Sequence, residues 1–556
     1  MIDCLIVGYN DIDFENYVSM VRGMGVKSGA YRDLDLAFIT HQNKPYRSMD
    51  LLNLFHREIN PRHRPFSNVD FLWPVITYLY TYLTRRGFTL DYVNLFQDEK
   101  AHLIEKLKSE DVRTVVITTT LYVWAAPIVE IVDLVRRYSE TTKIIVGGPY
   151  VHNQAQMLPK KAFHHLLDSI GADVYVIGPE GEETLARVLY ALRTDALLTT
   201  IENLVFRDGS GMIQTAERPE KNSLAEEMVD YSLFAAAEYN GFVNLRTSKS
   251  CPFACAFCAF PGRAGEYSYL PVELVEKELD AIQRLGTVST VTFIDDTFNV
   301  PKQRFKEIMK LMIRKGYGFR WNSFFRADHA DAECVDLMMR SGCEGVFLGI
   351  ESGSDRILKA MNKTSRREHY LRIIPQLRAA GIICHANIIV GYPGETPDSI
   401  RETRDLIETA MPDFFRAQLW YCDPTTPVWR QRKELQIKGA AFTWSHLSMD
   451  SEKAADWVER LFREVEGSTW LPQYGFEPWS LYYLQRRGMT LDQVKVFVRS
   501  FNAAVLAKLT DSSQEEVPLQ AFCAIRDACR FEDRATARKV GDSSHPMLRE
   551  MAGNRS

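Results

Sequence analysis

Residues 251–260 read CPFACAFCAF. Cys251, Cys255 and Cys258 stand there at C-x3-C-x2-C spacing, with Phe257 directly before the third. Thiolates this close in sequence can converge on one centre, and Cys is the usual ligand of iron–sulfur clusters. Three of them leave one iron of a four-iron cube open to a ligand other than cysteine. A tetrahedral zinc site is the alternative, and it wants a fourth Cys or His at short spacing. Residues 259–275 supply neither. The spacing points to a [4Fe–4S] cluster.

Outward from the cysteines, strand-like and helix-like runs alternate. FVNLRTS (242–248) leads into the loop. VSTVTFIDDTF (288–298), FRWNSFFRAD (319–328), GVFLGIESGS (345–354), ICHANIIVGYPGET (383–396) and FFRAQLWYCDPTTP (414–427) each follow a helical stretch. These repeats predict a partial (β/α)6 barrel over 241–430, with reactive groups at the C-terminal ends of its strands. GYPGET (391–396) lacks the G-K-[ST] of a phosphate-binding loop, which excludes nucleotide hydrolysis.

Upstream, IDCLIVG (2–8), TLDYVNLF (89–96), VRTVVITTT (112–120), KIIVGGPY (143–150) and ADVYVIG (172–178) are short apolar runs separated by helical segments. That alternation predicts an α/β, doubly wound, Rossmann-like sheet over 1–200, with an insertion at about 9–70. Ligands of such sheets bind beyond the carboxyl ends of the strands. Those ends hold Thr118, Thr119 and Thr120; Gly147, Gly148 and Pro149; and Gly178, Glu180 and Gly181. Ordinary strand-end turns are the plain alternative. Turn residues such as RDGSG mark 201–240 as a linker, and 431–556 reads as mainly helical. Its aromatic stretch WLPQYGFEPWSLYYL (470–484) is expected to pack over the barrel mouth; a substrate lid or carrier-docking face is the other reading. Cys523 and Cys529 have no further Cys or His near them and read as ordinary thiols.

The cysteine loop, with GIESGS and IVGYPGET, resembles the signature of radical S-adenosylmethionine (SAM) enzymes. The "VGGP" strand and "G-x-E" turn resemble the cobalamin-binding domain that precedes the barrel in one class of them. Over roughly 1–430 the chain is similar to the cobalamin-dependent (class B) radical SAM methyltransferases. The stretches GYND, SGAYRDL and KPYRSMDLLN look most like the branch containing phosphinate P-methyltransferases.

The resemblance implies three cofactors: a [4Fe–4S] cluster on Cys251, Cys255 and Cys258, SAM, and cobalamin used as methylcobalamin. It implies that Glu351, Ser352 and Gly353 meet the SAM ribose, that Arg326 pairs with its carboxylate, and that Asp295 and Asp296 reach its ammonium or the substrate. Ile389, Val390, Gly391 and Tyr421 would sandwich adenine. The strand-end residues of 1–200 would hold cobalamin. No D-x-H-x-x-G motif is present, so the lower cobalt face is expected to lack histidine, with Leu121 or Tyr122 covering it. The implied reaction moves a methyl group from SAM to a non-nucleophilic carbon or a phosphinate phosphorus of a small-molecule or carrier-tethered intermediate. Rearrangement or oxidation without methylation, polar methyl transfer, and a cobalamin-binding regulator are the alternatives. An electron donor such as flavodoxin or ferredoxin is the expected protein partner.

Composition bounds this reading. At 556 residues, two or three domains are expected. A net charge of -5 gives no polycationic footprint for nucleic acid. The start MIDCLIVGYND has no signal- or transit-peptide character, and no run of about 18 apolar residues suggests a membrane span. Scattered cysteines fit a reducing cytoplasm.

Overall fold

The computed structural model describes residues 1–531, apart from 60, 62, 63, 70, 210 and 511–515. Two seven-stranded sheets dominate it. The first comprises β1 (Cys4–Tyr9), β2 (Leu90–Leu95), β3 (Thr114–Thr118), β4 (Lys143–Gly147), β5 (Val174–Val176), β6 (Leu204–Asp208) and β7 (Gly211–Gln214), in the order β2-β1-β3-β4-β5-β6-β7. Strands β1 to β5 are parallel; β6 and β7 pair antiparallel. Every residue of β3 is buried, as expected where helices cover both faces of a parallel sheet. Two segments of the expected linker, 204–208 and 211–214, instead extend this sheet as antiparallel strands, with Asp208 opposite Gly211.

The second sheet is wholly parallel and runs in sequence order: β8 (Phe242–Leu245), β9 (Thr290–Phe293), β10 (Arg320–Phe325), β11 (Cys343–Glu351), β12 (Ile383–Val390), β13 (Phe414–Leu419) and β14 (Thr469–Trp470). The first six are the six repeats read from the sequence. The two-residue β14 comes from beyond residue 430 and adds a seventh strand at the edge. Its brevity hides it from any periodicity argument.

Side chains alternate across this sheet. Phe324, Phe347, His385 and Phe414 face inward as a ladder of neighbouring rings, Phe324–Phe347 at 5.3 Å and His385–Phe414 at 5.2 Å. Trp321 faces outward and is wholly buried among Phe293, Phe298 and Phe305. The sheet does not close on itself. Segment 471–484 packs along its open side, where the Arg416 guanidinium donates to the carbonyls of Leu471, Pro472 and Phe476 at 3.3, 2.7 and 2.7 Å. The aromatic stretch therefore walls the gap between the edge strands. Residues 9–70 hold two hairpin strands, Phe38–His41 and Lys44–Arg47, and three helices. They bond to the C-terminal region through Arg32 to Glu459 at 3.0 Å, Ser48 to Gly475 at 3.2 Å and Lys508 to Asp35 at 2.8 Å. No helix among the described residues is long and apolar enough to cross a membrane.

Removing the Trp321 ring would leave a large cavity between sheet and helices. Trp321→Ala is expected to lose about 3–5 kcal/mol, read as a large fall in melting temperature.

Candidate active site

The cysteine loop begins where β8 ends, and the buried carboxylate of Asp295 determines that position. It accepts the backbone N–H groups of Thr247 at 2.6 Å and Ser248 at 2.8 Å, and the Thr247 hydroxyl. Arg304, on the helix Lys302–Lys315, donates to Thr247 O at 3.1 Å and Oγ1 at 2.9 Å. Farther along, Ala256 N donates to Met361 O at 2.7 Å, Asn362 to Ala254 O at 2.7 Å, and Val428 N to Ala256 O at 2.9 Å. The loop is thus pinned from β9, β11 and the segment after β13. Asp295 has its oxygens occupied by the loop stem, so it positions the cysteines and does not reach a ligand.

All three cysteines are free and half-buried. Burial raises the Cys251 thiol and pushes Cys258 up to about 11, and each also feels Cys255 and Asp296. Thiols in a partly dry loop suit a metal cation, whose binding displaces thiol protons. The donor set fits an iron–sulfur cluster.

Asp296, next along, opens onto the cavity described below. Asp296 is exposed to that space, yet the loss of water around its carboxyl, with Asp295 beside it, pushes it up to about 7. Arg326 departs from expectation. Its guanidinium is bidentate to Asp328 at 3.1 and 2.9 Å, donates to Thr364 at 2.6 Å and lies 3.6 Å over the Phe253 ring. A carboxylate two residues on has taken the fork, so Arg326 braces the cysteine loop through Phe253. Against the opposing effect of burial, that pairing holds Asp328 far below the usual carboxylate range.

Glu351 sits at the end of β11 with φ of 65° and meets Lys363 Nζ at 3.3 Å. Lys363 Nζ lies 5.9 Å from the Phe257 ring, which connects this strand end to the third cysteine. Ser352 and Gly353 turn the other way: Gly353 N donates to Thr403 Oγ1 at 2.8 Å, and Ser352 Oγ lies 3.4 Å from it. Both are buried structural contacts to the helix Pro397–Ala410. Ile389 is half-buried and Tyr421 is exposed, its ring 5.2 Å from Phe442. Val390 is buried, and Gly391 donates to Glu395 Oε2 at 2.6 Å.

A cavity of about 620 Å³ lies between the two sheets. From the first sheet it takes Thr118, Thr120, Leu121, Gly147, Gly148, Pro149, Glu180 and Gly181. Gly148 has φ of 108°, and a Cβ there would stand 2.9 Å from Thr119 Oγ1; the strand ends leave room for a large group. Leu121 has φ of 69° and is 62% exposed, an unusual conformation for an apolar residue and one that presents it to the cavity. Three residues do not line this space. Thr119 donates to Gly147 O at 2.9 Å and ties β3 to β4. Tyr122 is buried, its hydroxyl accepting from Asn10 N at 2.7 Å. Gly178 is buried behind the turn.

From the second sheet the cavity takes Ser248, Lys249 and Ser250, just before the cysteines, and Phe260, Arg263 and Asp296. Lys249 pairs with Glu180, and Arg263 donates to Asn153 Oδ1 at 3.0 Å, so an ion pair and a hydrogen bond cross from one sheet to the other. Sequence reasoning missed Lys249 and Arg263, although both flank the cysteines. It also missed His152, Tyr78 and Trp479, which line the cavity without a local pattern to mark them. His152 Nδ1 lies 2.9 Å from Ile177 O.

Residues 245–407 match the Radical SAM superfamily. The matched stretch is a radical SAM domain and contains all three cysteines. Over 335 residues the chain is 23% identical to an uncharacterized methyltransferase of Pyrococcus horikoshii, covering 59% of this chain and 70% of that one. Over 204 residues it is 30% identical to bacteriochlorophyllide d C-12(1)-methyltransferase of Chlorobaculum tepidum, covering 36% of this chain and 44% of that enzyme. The chain therefore aligns with less than half of the second relative's length. The radical SAM methyltransferase TsrM of Kitasatospora setae, solved with cobalamin and a [4Fe–4S] cluster, superposes with a TM-score of 0.60 at 15% identity, covering 81% of this chain and 98% of that one. That likeness is one of fold.

Two outcomes test this geometry. Asp295→Asn sets an amide against two N–H donors and is expected to lose about 1.5–3 kcal/mol, together with iron content measured after reconstitution. Glu395 is buried, which pushes its carboxyl up to about 8 despite the N–H groups of Gly391 and Tyr392. The folded state keeps this proton where the unfolded chain has lost it. Stability should therefore fall as pH rises from about 4.5 to about 8, and Glu395→Gln should flatten that slope in melting temperature.

Proposed function

We propose that the chain is a cobalamin-dependent radical SAM enzyme that transfers a methyl group from SAM to a non-nucleophilic carbon or phosphinate phosphorus. The acceptor would be a small molecule or a carrier-tethered intermediate. One observation carries this reading: a single cavity joins the strand ends of the Rossmann-like sheet to the residues on either side of the cysteine loop. When bound, a [4Fe–4S] cluster supplies the electron for SAM cleavage and cobalamin supplies a methyl carrier, with a flavodoxin- or ferredoxin-type protein as electron source.

In this reading Cys251, Cys255 and Cys258 hold the cluster. Asp296 accepts from the SAM ammonium, Glu351 accepts from the ribose, and Ile389 and Tyr421 flank the adenine. Thr118, Thr120, Gly147, Gly148, Pro149, Glu180 and Gly181 cradle cobalamin, and the exposed Leu121 covers its lower face. Burial among Trp73, Tyr78 and Trp479 excludes water from the space between. A second reading, oxidation or cyclisation without methyl transfer, draws on a 23% identity over 385 residues to the anaerobic magnesium-protoporphyrin IX monomethyl ester cyclase of Cereibacter sphaeroides.

Anaerobic turnover with methyl-labelled SAM, cobalamin and a strong reductant separates these. Radical methylation is expected to yield 5′-deoxyadenosine, S-adenosylhomocysteine and labelled product together by mass spectrometry, all absent from Cys255→Ala. Deoxyadenosine without adenosylhomocysteine would overturn methyl transfer in favour of oxidation. Adenosylhomocysteine alone would indicate polar transfer.

A further inference from the structure

One part of the central cavity is walled by aromatic rings from outside the barrel and by polar side chains from two of its strands. Asn244 and Thr292 are register partners on β8 and β9. Phe293, next to Thr292, packs outward on Phe298 and Trp321, so strand alternation turns Thr292 and its partner Asn244 toward the barrel interior. Both line the cavity, and both also line a second, small space together with Phe71, Trp479 and Tyr483.

The rings form a chain. Phe71 stacks on Trp73 at 5.9 Å with planes 13° apart, and meets Trp479 edge-on at 6.3 Å. Trp73 in turn stacks on Tyr9, the last residue of β1, at 5.2 Å. Phe71, Trp73 and Trp479 all line the cavity, and Phe324 adds a ring from β10. Trp479 is fixed by its own N–H, which goes to Asn68 O at 2.7 Å.

The polar groups of this wall are not used within the protein. Trp73 is buried, 4% exposed, and its indole N–H has no hydrogen-bond partner. Among the described residues neither the Asn244 amide nor the hydroxyl of the buried Thr292 makes a side-chain hydrogen bond. A buried donor left unmatched costs about 1–3 kcal/mol, and on a cavity wall a ligand is what can match it. An indole N–H only donates, so the ligand must bring an acceptor; an amide and a hydroxyl take either role.

Charge is the other constraint. Phe71, Trp73, Asn244, Thr292 and Trp479 carry none. The cations that line the cavity are Arg246, Lys249 and Arg263, and each is engaged: Arg246 lies 4.4 Å over the Tyr78 ring, Lys249 pairs with Glu180, and Arg263 donates to Asn153. An anion such as a phosphinate would enter without a free counter-charge, at the cost of its desolvation.

We propose that this wall is the pocket for the methyl-accepting substrate, and that it takes an uncharged flat ring carrying a hydrogen-bond acceptor, as in an aryl ketone or a ring lactam. The ring lies among Phe71, Trp73 and Trp479, its acceptor meets the Trp73 N–H, and Asn244 and Thr292 meet its further polar substituents. Of the two kinds of acceptor named above, this favours carbon. It rests on the methyltransferase reading, but its test does not depend on turnover.

Saturation-transfer NMR on the reconstituted full-length protein without reductant would compare four probes: acetophenone, ethylbenzene, cyclohexyl methyl ketone and phenylphosphinate. Acetophenone is expected to bind best, ethylbenzene and cyclohexyl methyl ketone more weakly, and phenylphosphinate not at all. Trp73→Phe keeps a ring and removes the N–H. It is expected to weaken acetophenone about three- to tenfold, the effect of one neutral hydrogen bond, and to leave ethylbenzene and cobalamin binding as in wild type. Phe71→Leu tests the ring side independently and is expected to weaken both aromatic hydrocarbon-ring probes, acetophenone and ethylbenzene, and not cyclohexyl methyl ketone. Equal binding of ethylbenzene, binding of phenylphosphinate, no binding of any probe, or unchanged acetophenone affinity in Trp73→Phe would each overturn the proposal. So would loss of cobalamin binding in Trp73→Phe, which would assign the N–H to the cofactor. Deoxyadenosine formation by the wild type separately decides the radical reading.

Discussion

The carboxylate of Asp295 is the constraint on which the site depends. It takes two backbone N–H groups and a hydroxyl from the last turn of β8, so the chain can change direction at one place only. A charge-assisted hydrogen bond is about twice as strong as a neutral one, and here such bonds are stacked on a two-residue stem. The eight residues from Cys251 to Cys258 thereby start from a fixed stem. Arg304 completes the arrangement by satisfying the carbonyl side of the same stem.

From that stem the rest of the pocket follows by register. The parallel strands β8 to β13 set their C-terminal ends side by side, and Asp296 and Glu351 appear at the ends of β9 and β11, one strand apart, as a consequence. Arg326 shows what register alone does not decide. It stands at a strand end with the right chemistry for a carboxylate ligand, yet Asp328, two residues away, claims the fork at no entropic cost of a second molecule. Its guanidinium acts on the site through the Phe253 ring.

The barrel remains open along one side, and the chain closes it with material from both of its ends. Asn68 and the segment 471–484 meet there, with Trp479 Nε1 donating to Asn68 O at 2.7 Å. An open barrel of this kind admits a large ligand from the Rossmann-like sheet. The insertion serves the barrel as well as the sheet that it interrupts, since Arg32 and Ser48 bond to the C-terminal region.

The spacing of Cys251, Cys255 and Cys258, the alternation of apolar runs and the glycine-rich strand ends were legible in the sequence, because ligand spacing and burial periodicity are local properties. They were enough for the two α/β sheets, the cysteine centre and most of the cavity wall on the first sheet. Whether Thr119, Tyr122, Gly178, Asp295, Arg326, Ser352 or Gly353 faced a ligand or a neighbour was not, since each could satisfy its hydrogen bonds either way. Nor could the chain order reveal β14 or the place of Trp479 in the cavity wall. Those follow from which segments fill the gap in an unclosed barrel, and only the packed tertiary structure decides how a buried polar group is satisfied.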